Sequence, residues 1–182
     1  MILPPLALYI HIPWCEKKCP YCDFNSHVTD SLPQKAYIDQ LKHDLASQLD
    51  YVQGREIQSI FIGGGTPSLF EAASIGDILQ FTQSHIPFAS DIEITMEANP
   101  SSSEQAKFQG LLAAGVNRLS IGVQSFDDGL LKAIGRIHQA YDAVSAVNAA
   151  KKAGFDRINV DLMHGLPGQR LKQGLADIHQ AI

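Results

Sequence analysis

Ala114-Gly115-Val116-Asn117-Arg118-Leu119-Ser120 is echoed further along the chain by Ala153-Gly154-Phe155-Asp156-Arg157-Ile158-Asn159. In both copies glycine stands where a helix gives way to a strand, the position at which a left-handed residue ends a helix without a Cβ penalty. The distance between the copies suits one strand and one helix, so the pair reads as a β/α repeat. Outward from it, Leu6 to Ile12, Ile57 to Ile62, Ile92 to Glu97, Arg118 to Gly122 and Arg157 to Leu162 read as short, nearly all-apolar strands. Such runs suit parallel strands covered on both faces. The stretches between them, about Pro33 to Asp50, Glu71 to His85, Ser103 to Ala114 and Ala140 to Ala153, are long enough for crossover helices. Ser101 to Ser103 with Glu104 offers an N-cap to the third helix, and Asp127-Asp128 places acid where a further segment begins.

With 45% hydrophobic residues in 182, the chain can bury a substantial core, and no linker or low-complexity segment divides it, so residues 1–182 are expected to form one domain. The formal charge of −5 comes without a run of lysine or arginine, which excludes a basic nucleic-acid-binding stripe. Met1 to Leu8 is apolar but lacks a positive leading region, and His11 and Pro13 interrupt it well short of a membrane span. A cytoplasmic location and no integral membrane segment are expected. The sequence ends at Ala181-Ile182 inside what reads as a fifth helix beginning at Leu171. Five βα units cannot close an eight-stranded barrel, so the expected fold is α/β, a partial (β/α) barrel that is open and continues beyond this sequence.

All three cysteines lie in Cys15-Glu16-Lys17-Lys18-Cys19-Pro20-Tyr21-Cys22, directly after the first strand. An odd, tightly clustered set speaks against a disulfide framework and for a metal site in a reducing compartment. The carboxyl end of a parallel strand is where such folds keep their chemistry. A four-iron cubane needs four ligands, and three cysteines with no fourth in the chain leave one iron open. A zinc site completed by His27, or less readily by His11, is the rival reading, although structural zinc sites usually pair two knuckles rather than place CxxxC and CxxC in one loop.

Other strand ends are polar or glycine-rich. Gly63-Gly64-Gly65-Thr66-Pro67 follows the second strand and lets the backbone approach a ligand closely. Glu97 ends the third strand, Gln124 follows the fourth, and Asp161 lies in the fifth. A parallel array brings these ends to one mouth, which is a stronger signal than any of them alone.

CxxxCxxC with an aromatic before the last cysteine, after a strand and before a β/α array, resembles the signature of the radical S-adenosylmethionine (SAM) superfamily. The resemblance implies that Cys15, Cys19 and Cys22 hold a [4Fe-4S] cluster whose open iron chelates the amino and carboxylate groups of SAM. In that superfamily an electron from the reduced cluster cleaves the sulfonium to give a 5′-deoxyadenosyl radical, and the protein positions the cofactor and excludes water. The wider wording is similar to the heme chaperone branch of the oxygen-independent coproporphyrinogen III oxidase-like family. It runs through Tyr9 to Cys15, Cys19 to Ser26, Ile62 to Ser68, Glu97 to Pro100, Ile121 to Phe126, Gly135 to His138 and Asp161 to Pro167. That resemblance implies a SAM pocket lined by Tyr9, Gly64, Gly65, Thr66, Glu97, Gln124, Arg136 and Asp161, with Tyr21 beside it.

The coproporphyrinogen dehydrogenases of the family carry a further cysteine two residues after the third, where this sequence has Phe24, and a longer segment before the first strand. Both differences favour the chaperone branch, which implies heme as cargo, an acceptor protein and an electron donor such as a flavodoxin or ferredoxin. Oxidative decarboxylation of coproporphyrinogen III is the alternative activity. His138 and His164 read as loop hydrogen-bonders rather than heme ligands.

Overall fold

A computed structural model describes residues 3–182 of the chain, with the side chains of residues 102 and 103 left aside; Met1 and Ile2, the start of the apolar leading stretch, lie outside the described residues. The elements in order are β1 (Leu6–Ile12), β2 (Trp14–Cys15), β3 (His27–Val28), α1 (Gln34–Ser47), β4 (Ile57–Gly64), α2 (Ala72–His85), β5 (Phe88–Ala98), α3 (Ser102–Gln105), α4 (Phe108–Ala113), β6 (Arg118–Gln124), α5 (Asp128–Ala133), α6 (Ala140–Ala153), β7 (Arg157–Leu162) and α7 (Leu171–Ala181). β1, β4, β5, β6 and β7 form one five-stranded sheet in that order, and every neighbouring pair is parallel. The chain thus forms the open partial barrel that the repeat predicts. Gly115 and Gly154 both turn their helix ends with positive φ, 109° and 104°, just before β6 and β7.

Alternation along the strands decides which face is dry. Ile10, Ile12, Ile60, Ile62, Ile94, Met96, Leu119, Ile121 and Val123 are buried and join the core under α1, α2, α4 and α6, together with Ile38, Ile75, Phe108, Leu111 and Ala146. The intervening residues, among them Glu93, Thr95, Glu97, Arg118, Ser120, Asn159 and Asp161, belong to the opposite, concave face. The expectation of strands covered on both faces is therefore corrected: helices cover one face, and the other is polar and lines a cavity.

One local expectation also changes. The single helix expected from Ser103 to Ala114 is two, because the chain turns between α3 and α4, where the Lys107 amide donates to Glu104 O (2.9 Å) and its ammonium to Leu69 O (2.9 Å). Glu104 stands in the first turn of α3, at the helix start where the sequence puts it, and is 1% exposed. Its Oε2 accepts from Ser68 Oγ and from the Asn99 amide (2.6 Å). Asp127 does cap α5, accepting from the Leu130 amide at 3.0 Å.

The cysteine loop is moored by aromatic packing. Trp14, beside Cys15, meets Tyr37 of α1 edge-on at 4.6 Å and Phe70 at 5.8 Å, while Tyr37 Oη donates to His11 O at 2.7 Å. A two-residue parallel ladder, Trp14 with His27 and Cys15 with Val28, closes the loop on itself. Phe70 is fully buried at the centre of this packing. Phe70→Ala is expected to destabilise the fold by about 3–5 kcal/mol through the lost contacts and the cavity left behind. Phe70→Leu should cost about 1 kcal/mol. Urea denaturation of the three chains measures both.

Candidate functional site

The carboxyl ends of β4, β5, β6 and β7 converge with the cysteine loop that follows β1 on one cavity of about 540 Å³. Cys15, Cys19 and Cys22 line it, as do Tyr21, Gly64, Gly65, Thr66, Glu97, Gln124, Arg136 and Asp161. Tyr9 does not: it is 56% exposed on edge strand β1 and stacks at 6.3 Å on Phe61, which does line the cavity. Burial and the nearby Glu97 charge raise the Tyr9 phenol above its ordinary pKa.

The loop after β4 reaches the cavity because it lies against the backbone of the cysteine loop. The Gly65 amide donates to Ile12 O at 2.8 Å and the Thr66 amide to Trp14 O at 2.7 Å. A Cβ on Gly65 would sit 2.4 Å from Trp14 O, closer than any side chain is tolerated. This glycine is required by contact rather than by flexibility. The Gly64 amide, in turn, donates to Glu97 Oε2 at 3.0 Å.

Glu97 and Asp161 put two carboxylates on the wall. Burial, reinforced by the Asp161 charge and opposed by the Gly64 amide, raises the Glu97 pKa above the usual glutamate value. Asp161 is held by Ser120 Oγ, 3.0 Å from each of its oxygens, and by Asn159 Nδ2 at 2.6 Å. On the cavity floor Arg118 pairs with Glu93 at 3.2 Å and Arg157 reaches the same carboxylate at 3.7 Å.

Arg136 supplies the cation opposite. Its Nη2 donates to Gly122 O (2.6 Å) and Asn99 Oδ1 (2.8 Å), and its Nη1 lies 3.7 Å from Cys19 Sγ. Tyr21 has its phenol raised by burial; the Arg136 charge acts against that rise and Cys19 with it. Asn99 is the residue that sequence reasoning missed. It lines the cavity, accepts from Arg136, donates to Thr66 Oγ1 at 3.1 Å, and gives its amide to Glu104. It lies within the Glu97 to Pro100 stretch, but an amide after a strand carries no signal of its own.

The histidines fall elsewhere. His138 is a loop hydrogen-bonder, as expected, but a buried one that donates Nε2–H to Val123 O at 3.0 Å. Desolvation, and then the Arg136 charge, lower its pKa to about 4, so it stays neutral. His164 is exposed in the loop after β7. His11 donates Nε2–H to Asn25 O at 2.8 Å and accepts from Tyr9 Oη at 2.9 Å. His27 is exposed on β3.

The three cysteines are free thiols, partly exposed, in a loop pinned by the Cys22 amide on Cys19 O at 3.1 Å. Among the described residues no three His, Cys, Asp or Glu side chains are gathered closely enough to hold one metal ion. Three separate thiolates on one cavity wall fit an iron–sulfur cube, whose ligands each take a different iron, better than a single zinc.

The sequence profile of the radical SAM superfamily matches residues 9–179, and the chain belongs to that superfamily. Within it, the chain is 54% identical over 185 residues to a protein of Haemophilus influenzae and 51% identical over 181 residues to one of Escherichia coli, each named heme chaperone HemW. Both alignments cover 99% of this chain and 48% of the relative, so the chain spans about half the length of these relatives. Among solved structures it is similar to coproporphyrinogen III oxidase (HemN) from Escherichia coli, described as a radical SAM enzyme, with TM-score 0.86 and 32% identity over 97% of this chain and 41% of that one.

Because the folded state favours protonated Glu97, this residue's contribution to stability is full below its unfolded-state pKa and is lost as pH rises through its raised folded-state value. Glu97→Gln is therefore expected to be more stable than the parent chain at pH 7, with the gain shrinking as pH falls toward 4. Urea denaturation of the metal-free proteins across that range checks the sign.

Proposed function

We propose that this chain is the cluster- and SAM-binding part of a heme chaperone, holding a [4Fe-4S] cluster on Cys15, Cys19 and Cys22. The observation that carries the reading is the single cavity shared by these thiols and the polar ends of four neighbouring strands. When bound, the cluster supplies one electron to SAM. The chain's own residues do the holding. Glu97 and Asp161 face the cationic groups of SAM, Arg136 faces its carboxylate, and the backbone of Gly64 and Gly65 with the Thr66 hydroxyl receives the amino-acid part. Tyr21 flanks the pocket, Tyr9 backs Phe61 from outside it, and Gln124 contacts the ligand from the β6 end.

Heme enters the proposal through the relatives named as heme chaperones, which are more similar to this chain than the coproporphyrinogen III oxidase is. In the proposed role the protein receives heme, hands it to an acceptor protein, and takes electrons from a flavodoxin- or ferredoxin-like donor in the cytoplasm. Three unpaired thiols accord with a reducing compartment, and among the described residues no helix is long and apolar enough to cross a membrane. Phe24, 61% exposed at the cavity rim, occupies the place of the dehydrogenases' additional cysteine, which favours the chaperone over coproporphyrinogen III oxidation.

Anaerobic reconstitution with iron and sulfide should give a reduced chain with a [4Fe-4S]⁺ EPR signal that changes on adding SAM, and Cys19→Ala should abolish the signal. A zinc-containing, colourless protein would overturn the cluster assignment. Heme titration separates the two activities: stoichiometric heme uptake without porphyrinogen turnover is the expected result, and SAM-dependent decarboxylation of coproporphyrinogen III would reverse the ranking.

A further inference from the structure

Gln124 has the backbone of a residue held against its preference. Its φ is +69°, and the Ser125 amide donates across it to Val123 O at 2.9 Å. A three-residue turn with positive φ at its centre is the rare, strained form of γ-turn, and for a residue with a Cβ this conformation persists only where the surroundings over-determine it. From one side the Met163 amide, at the end of β7, donates to Gln124 O at 2.8 Å.

From the other side comes a buried carboxylate that no step of the proposed function uses. Asp177, in the middle of α7 and 4% exposed, accepts from Ser125 Oγ at 2.8 Å and from the Phe126 amide at 2.7 Å. Ser125 Oγ also accepts from the Asp127 amide at 3.1 Å, so the hydroxyl is fixed in direction. Gln173, one turn earlier on α7, donates to Asp127 Oδ2 at 2.9 Å. The helix therefore grips the two residues after Gln124 by both oxygens of one acid. A carboxylate this deep is kept only when it is hydrogen-bonded, and each of its two oxygens accepts one bond from the turn that aims Gln124 into the cavity.

We propose that Asp177 is a positioning residue for SAM: by fixing Ser125 and Phe126 it holds Gln124 in its left-handed turn, side chain toward the ligand. The inference rests on the reading of the cavity as a SAM site. Without the carboxylate the turn relaxes to negative φ, and the Gln124 side chain is no longer held at the cavity wall.

The test is a double-mutant cycle on SAM affinity, measured by EPR titration of the cluster-loaded full chain, with iron and sulfide content recorded for every variant. Asp177→Ala is expected to weaken SAM binding by about tenfold, and Asp177→Asn, which keeps an acceptor for the Phe126 amide, by no more than about threefold. In a Gln124→Ala background, Asp177→Ala should add less than about twofold, because a residue acting through Gln124 has nothing left to position. An Asp177→Ala chain that binds SAM as the parent does, or an equal loss with and without Gln124, overturns the proposal; the second result would make Asp177 a general anchor of α7. Gln124→Ala binding SAM normally overturns the assignment of Gln124 itself, and a chain that binds no SAM in any form overturns the reading of the cavity. Should Asp177→Ala fail to load a cluster, Ser125→Ala takes its place, with an expected loss of about threefold that likewise disappears in the Gln124→Ala background.

Discussion

Five parallel strands with helices on one side impose a constraint that the rest of the structure follows. Side chains that alternate along each strand divide cleanly into those beneath the helices and those on the concave face, and a parallel order sends every strand's carboxyl end to the same rim. The outward set is Ile, Leu, Val and Met; the inward set carries carboxylates, amides, hydroxyls and guanidinium groups. A closed barrel fills its interior with branched apolar side chains. Here the interior polar groups pair among themselves at the floor, Arg118 with Glu93, and leave Glu97, Gln124 and Asp161 nearer the mouth to face a ligand.

Around the mouth, one neutral residue joins what three separate segments provide. Asn99 receives Arg136 from the loop after α5, gives to Thr66 after β4, and is fixed through its own amide by Glu104 from α3. Arg136 continues the chain of contacts to Cys19. The cysteine loop and the strand ends are thereby tied by hydrogen bonds as well as by chain connectivity. The buried Glu104, its pKa raised by desolvation despite the Ser68 and Asn99 donors, is the foundation of that link.

Much of this was legible in residue order. Strand positions β1 and β7 fall at the predicted residues, the helices α1, α2, α6 and α7 begin and end within a few residues of the expected places, and the cysteine spacing marked the rim where the cavity lies. What escaped has identifiable causes. Arg118-Leu119-Ser120-Ile121-Gly122-Val123-Gln124 alternates in plain view, as does Asp91 to Glu97, but the denser apolar runs of β1 and β4 made all five strands look buried on both sides. Glu104 stands in the first turn of α3 as the local rule has it, but its burial on Ser68 and Asn99 is a tertiary matter that no neighbouring residue signals. Asn99 had no signal beyond its neighbours, since amides are common after strands. Tyr9 carried its expected role only through resemblance, and the geometry places it one aromatic ring away from the cavity, behind Phe61.

The aromatic mooring of the cysteine loop has a further consequence. Trp14 is the chain's single tryptophan, and it adjoins the first cysteine while packing on Tyr37 and Phe70. Its ultraviolet emission therefore originates from one known place, at the edge of the thiol-bearing loop. Any strongly absorbing group that the thiols take up would lie within energy-transfer range and quench that light. The molecule carries its own optical gauge of how full the loop is.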